Sequence, residues 1–177
     1  MGPYCRLLER AMPYRYPSTQ AVSLVALLFL GLMASSAMAR DFHEVSFETL
    51  DGQYASLTDY RGQIVVLNLW AVWCSPCLIE IPHLVALQDS LTEGDATIIG
   101  LSIDSGSAAA IQRFWTRRLQ IEPNYPLWLG TVEQARDYFN ARTYPTTLII
   151  DRQGEIRQTL IGLQTRTDLE TAINALR

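Results

Sequence analysis

Hydrophobic and polar positions along this chain fall into blocks that switch between two periods. Residues 64–70 are apolar at every position except Asn68. A run of that length and continuity predicts a strand buried on both faces, as at the centre of an α/β sheet. Residues 97–103 and 146–150 carry two further runs of this kind. Between the first two, Leu78, Ile81, Leu84, Val85 and Leu87 recur at helical spacing and predict a helix from Cys74 to about Ser90. Pro82 falls inside that helix, removes one of its hydrogen bonds and is expected to kink it.

The remaining blocks extend the alternation. Residues 42–50 have β character, Asp51-Gly52 is a hairpin turn signal, and residues 54–57 return as its second arm. Residues 58–62 read as a helical turn ending at Gly62. A helix is predicted over 108–119, with Ile111, Phe114, Trp115 and Leu119 inward, then a short strand over 125–129 and a short helix over 132–139. Asp151-Arg152-Gln153-Gly154 turns the strand 146–150 back into 155–161. Residues 166–176 close the chain as an amphipathic helix with Leu169, Ile173 and Leu176 inward. Strands alternating with helices, preceded by a small hairpin, imply an α/β sandwich with a mixed sheet. No linker rich in Gly, Pro or Ser divides it.

The apolar stretch 21–33 has a different meaning. Arg6, Arg10 and Arg15 precede it, and Ala37-Met38-Ala39 offers the small-x-small pattern that a signal peptidase accepts. Residues 1–39 therefore read as an export signal cut before Arg40, and residues 40–177 as one domain. Because 21–39 approaches the roughly 20 residues of a membrane helix, retention as an anchor is the alternative. In either case the domain is expected in the periplasm or an equivalent exported space, touching a membrane only if this segment is retained. No Cys follows the apolar run, so nothing points to a lipoprotein.

Composition narrows the function. With 177 residues, 49% of them hydrophobic, the chain can bury an ordinary core and is not wholly disordered. Fourteen Arg and no Lys stand against eighteen acids, for a net charge of −4, which does not favour nucleic acid. Beyond residue 39, eleven Arg face seventeen acids, and Cys74 and Cys77 are the whole cysteine content. An exported domain with a single close cysteine pair directs attention to that pair.

The pair sits in Trp70-Ala71-Val72-Trp73-Cys74-Ser75-Pro76-Cys77, where a buried strand is expected to turn into a helix. A helix N-terminus offers unpaired N–H groups and the positive end of a dipole, both of which stabilise a thiolate. The pKa of Cys74 is thus expected to fall below the free value of about 8.5. Cys74 would attack a partner disulfide, and Cys77, one turn further in and more buried, would resolve the mixed disulfide. Pro76 suits the first turn, where its missing N–H loses nothing. Other readings of the pair are weaker. A structural disulfide closing so short a loop is a poor staple. A zinc site would have to recruit the scattered His43 and His83. A non-catalytic module holding copper or zinc on Cys74 and Cys77 for delivery is the second functional class.

The segment from Asn68 to Pro82 resembles the signature of the TlpA/ResA-like thiol–disulfide oxidoreductases, extracytoplasmic members of the thioredoxin superfamily. The similarity extends to Leu50-Asp51-Gly52-Gln53, to residues 57–62, to residues 98–104, to residues 144–151 and to Gly162. It implies a thioredoxin-like three-layer sandwich with a mixed central sheet and a small N-terminal β-hairpin extension. It also implies that no cofactor is needed beyond the redox-active disulfide Cys74–Cys77.

The resemblance assigns further roles. Pro145 matches the family's cis-proline, which lies opposite the dithiol and helps to dock an extended substrate strand. Glu80 matches the acid of the Cys-x-x-Cys-x-x-Glu-x-Pro pattern; at i+3 from Cys77 it shares a helix face with that thiol and could exchange a proton with it. Trp70 is expected in the core, and Trp73 is expected to shield or present Cys74. Trp115 and Trp128 are read as packing residues and His83 as an exposed helix residue. Tyr144 stands where the family often has Val, and is expected to reshape the substrate groove. Asn68 lies where thioredoxins proper carry a buried Asp. The Glu-bearing segment of the cytochrome c maturation branch is not evident near Pro145, and the Pro-x-x-x-Thr-x-x-Cys pattern of peroxiredoxins is absent. The expected function is an exported oxidoreductase acting on disulfide-containing client proteins, most readily as a reductant recharged by a membrane donor of DsbD/CcdA type, with an oxidant role as the alternative.

Overall fold

A computed structural model of the chain describes residues 42–177, so the reading of residues 1–39 as a signal or anchor lies outside the described residues. Seven strands form one mixed sheet: β1 (Ser46–Thr49), β2 (Tyr54–Ser56), β3 (Ile64–Trp70), β4 (Ala96–Ile103), β5 (Leu127–Gly130), β6 (Thr146–Ile150) and β7 (Ile156–Ile161), in the order β2-β1-β5-β4-β3-β6-β7. The helices are α1 (Ser75–Gln88), α2 (Ala108–Phe114), α3 (Val132–Phe139) and α4 (Arg166–Asn174), with a 3-10 turn over Leu57–Tyr60. Strands β3, β4 and β5 are parallel, whereas β6 runs antiparallel beside β3 and β7 antiparallel beside β6.

Alternation along β3 divides the core into two layers. Ile64, Val66 and Trp70 face the layer built with α1, α2 and α4, through residues such as Ile81, Leu84, Ile111 and Leu169. Val65, Leu67 and Leu69 face the opposite layer, where Ala135 and Phe139 of α3 pack with Phe47 and Trp128. All seven residues of β3 are buried, which explains their nearly unbroken apolar character. Trp70 and Trp115 lie in the first layer and Trp128 in the second, all three fully buried. The hairpin β1–β2 is not a separate appendage: β1 pairs with β5 and widens the main sheet.

Two boundaries differ from the sequence pattern. The helix expected over 108–119 leaves α geometry at Phe114, continues as a π-helical segment over Trp115–Leu119, and stops at Gln120 in the left-handed region (φ 55). Strand β5 starts at Leu127 rather than at residue 125, because Pro126 brings a carbonyl but no N–H to the sheet; that carbonyl accepts the Gly100 N–H at 2.9 Å. Tyr125 is thereby turned into the core, edge-on to Trp115.

A candidate dithiol active site

Strand β3 ends at Trp70 and α1 begins at Ser75, so the first cysteine falls on the cap of the helix. Cys74 has extended backbone angles (φ −95, ψ 98), and its Sγ accepts the Cys77 N–H at 3.3 Å. Ser75 and Pro76 occupy the first two helical positions, where an N–H has no helical partner to lose. The loop is held from outside by Ser105, whose Oγ accepts the Val72 N–H at 3.2 Å and donates to the Ile103 carbonyl at 3.1 Å. Cys74 and Cys77 are joined as a disulfide. Cys74 retains 5% of its surface and Cys77 none, so an incoming group meets Cys74 first.

Glu80 follows one turn after Cys77 among the inward residues of α1, with no exposed surface. Its Oε2 accepts from Asn68 Nδ2 at 2.7 Å and its Oε1 from the Gln164 backbone N–H at 2.8 Å. Asn68 spends its other amide hydrogen on Thr147 Oγ1 at 2.9 Å, directly across the β3–β6 ladder. Burial pushes the Glu80 carboxyl up to about 7, against the lowering effect of the two donors. A carboxyl poised there changes protonation state near neutral pH, as a proton carrier must. Its charge and, above all, burial raise the pKa of the neighbouring Tyr125.

The Tyr144–Pro145 peptide is cis. Leu69 pairs with Thr146, so Pro145 sits at the end of the sheet where β3 gives way to the Cys74 loop. The Pro145 carbonyl accepts the Gly162 N–H at 2.9 Å, which ties the turn before β6 to the turn after β7. Trp73, 57% exposed, meets the ring of Tyr144 edge-on with centroids 5.8 Å apart. Leu163, 39% exposed, follows Gly162 on the same rim. The structure therefore gathers Trp73, Cys74, Cys77, Glu80, Tyr144 and Pro145 at one end of the sheet.

It does not bring the histidines there. His43 meets Phe42 at a tilt with centroids 4.2 Å apart, against Gly154, and His83 is half-buried further along α1. Among the described residues no three His, Cys, Asp or Glu side chains are grouped to hold a metal ion. Sequence reasoning missed two contributors and one pairing. Asn68 and Glu80 each stand out in the sequence, but nothing there joins them. Ser105 and Gln164 act through a loop hydroxyl and a backbone N–H, which leave no pattern to read.

The AhpC/TSA family profile matches residues 37–159. The thioredoxin-like protein YneN of Bacillus subtilis is 30% identical over 74% of this chain and 75% of its own length. The thiol-disulfide oxidoreductase ResA of Geobacillus kaustophilus is 28% identical over 72% of this chain and 71% of its own. Among solved structures, a DsbF homologue from Corynebacterium diphtheriae superposes with a TM-score of 0.66 at 27% identity, covering 80% of this chain and 90% of that one.

Proposed function

The chain belongs to the AhpC/TSA family, among its TlpA/ResA-like thiol–disulfide oxidoreductases, and from that premise we propose that it reduces disulfides in exported client proteins, with Cys74 attacking, Cys77 resolving and Glu80 carrying the proton between steps. The observation that carries this reading is the asymmetry of the pair: Cys74 on the helix cap at the surface, Cys77 fully buried, and a buried carboxyl one turn behind it.

In the reduced protein, unpaired N–H groups of the first turn favour the Cys74 thiolate. It attacks one sulfur of a client disulfide, and the other client sulfur leaves as a thiolate. Cys77 then gives its proton to the Glu80 carboxylate and attacks Cys74 Sγ. The second client sulfur leaves, and the Cys74–Cys77 disulfide seen here is formed. Two electrons pass from the dithiol to the client. The two client thiolates take up one proton from Glu80 and one from solvent, matching the protons lost by Cys77 and Cys74.

The client strand would lie along Pro145, between Trp73, Tyr144 and Leu163. Recharging needs a dithiol donor, for which a membrane protein of DsbD/CcdA type is proposed. Residues 1–39 would direct export, either removed or kept as an anchor; among the described residues no helix is long and apolar enough to cross a membrane.

The direction of electron flow is tested by the reduction potential of the dithiol. A value near that of thioredoxin, about −270 mV, is expected; a value near about −120 mV, as in strong oxidants, would reverse the flow and defeat the reductant reading.

A further inference from the structure

The two donors to Glu80 are held very differently. Asn68 lies in the central strand, is 1% exposed, and has both amide hydrogens committed. Gln164 belongs to a short surface bridge between β7 and α4. Gly162, in the left-handed region at φ 84, donates to the Pro145 carbonyl at 2.9 Å. Leu163 projects outward. Gln164 donates its backbone N–H to Glu80 at 2.8 Å, and its side chain closes the bridge through Nε2 to the Gly162 carbonyl at 2.9 Å. Thr165 then caps α4, with its N–H on Asp168 Oδ2 at 2.9 Å. The bridge is fixed to Pro145 at one end and to a helix cap at the other. A displacement imposed on Pro145 or Leu163 falls on the Gln164 amide.

We propose that the segment 162–164 is a positioning element for the reaction, which carries the docking of a client strand at Pro145 and Leu163 to the Glu80 carboxyl by drawing the Gln164 amide away from it. This rests on the roles given above to Pro145 and Glu80. Losing a donor destabilises the carboxylate, so Glu80 holds a proton more strongly once a client is seated. The carboxylate is then the stronger base for the Cys77 proton, while a smaller fraction of Glu80 is ionised at neutral pH, so resolution gains most above the raised pKa. Linkage makes the effect reciprocal: protonating Glu80 tightens client docking by the same factor. No charged side chain contributes to the raised pKa of Glu80; Tyr125 is coupled to it, and Cys77 and His83 lie one turn to either side of it on α1.

The test is a direct titration of the Glu80 carboxyl by NMR in the intact chain. Cys77→Ser protein is loaded at Cys74 with a short Cys-containing peptide, or with 2-mercaptoethanol, which brings no backbone to the groove. The Glu80 pKa is expected to be higher in the peptide adduct by about half a unit, roughly threefold in proton affinity. Equal values in the two adducts, or a lower one with peptide, overturn the proposal. Gln164→Pro deletes the donating N–H itself and should raise the Glu80 pKa in the oxidised protein. A folded variant with an unchanged value also overturns it. If the adducts differ while Glu80→Gln leaves the pH profile of resolution unaltered, the coupling stands and the proton-carrier role of Glu80 fails.

Discussion

Asn68 grips Glu80 from the central strand, Nδ2 to Oε2 at 2.7 Å, with neither side chain reaching solvent. The second amide hydrogen of Asn68 is fixed on Thr147, its cross-strand neighbour, so the amide is aimed before Glu80 arrives. Two donors on a carboxylate ordinarily lower its pKa, yet the value rises to about 7. Burial therefore outweighs both hydrogen bonds together, and the acid is tuned by how dry its surroundings are as much as by what it touches.

Replacing Asn68 separates these effects. Asn68→Leu removes one donor and adds no charge, so the Glu80 pKa should climb above about 7. Asn68→Asp sets a second carboxyl beside the first, and the pair should titrate in two well-separated apparent steps. NMR titration of the side-chain carboxyls in the oxidised protein, where the cysteines do not titrate, reads both. A fall in the Glu80 value on Asn68→Leu would contradict this account of its tuning.

The same carboxyl leaves a mark on stability. Below about pH 4.5 Glu80 is protonated in both the folded and unfolded chain. Between about 4.5 and about 7 the folded protein keeps the proton that the unfolded chain releases, so stability declines as pH rises through that window and levels off above it. The loss is at most about 3 kcal/mol from the size of the shift. Glu80→Gln should abolish this slope in urea melts of the oxidised protein. Asp51, Asp95, Asp151 and Asp168 have lowered pKa values, and their stabilising charges are lost only on further acidification, outside the window. Parallel curves for wild type and variant from pH 4.5 to 7 would refute the assignment.

Local pattern made most of this architecture legible. The runs at β3 and β6 and the helix α3 lie where their periodicity places them, because each buries a face whose composition betrays it. What escaped was set by long-range pairing. The π-helical segment at Trp115 has no composition of its own, and its ring is committed to edge contacts with Trp70 and Tyr125. The dithiol announced itself through residue type and spacing. Its supports did not: Gln164 reaches Glu80 across 84 positions of sequence through a group that every residue but proline possesses.

Gly100 should accept a side chain only at a cost in packing. It pairs with Asn68 in the β3–β4 ladder, and a Cβ there would lie 2.7 Å from Leu127 Cδ2 and 3.1 Å from both Trp70 Nε1 and Tyr125 Cε2. Leu127 must swing its methyl aside, and both rings, each edge-on to Trp115, must shift slightly as well. Gly100→Ala is expected to cost about 1–3 kcal/mol by overpacking, seen as a lower urea midpoint with an unchanged slope. An unaltered midpoint would mean that this layer yields more easily than its packing implies.

The division of labour proposed for the cysteines predicts opposite trapping behaviour. With Cys77→Ser the attack by Cys74 proceeds but resolution cannot, so mixed disulfides with clients should accumulate and dissolve on adding a small thiol. Cys74→Ser leaves only a thiol with no exposed surface and should accumulate none. Non-reducing gels of whole-cell extracts compare the two directly. Equal capture by both variants would remove the basis for calling Cys74 the nucleophile.

Tyr144 and Trp73 meet edge-on at 5.8 Å, next to Pro145, along which the client strand is proposed to lie. An aromatic pair of this geometry is worth about 0.5–1.5 kcal/mol, so its loss frees Trp73, whose face is already more than half exposed. On the proposed docking mode a protein strand lies against this pair, whereas a small disulfide needs only the surface that Cys74 retains. Tyr144→Val is therefore expected to leave the rate with a small aromatic disulfide within about twofold, and to change KM for a protein disulfide by about three- to tenfold with little change in kcat. If both substrates respond alike, the ring acts on the dithiol rather than on the client, and Tyr144 is no specificity residue.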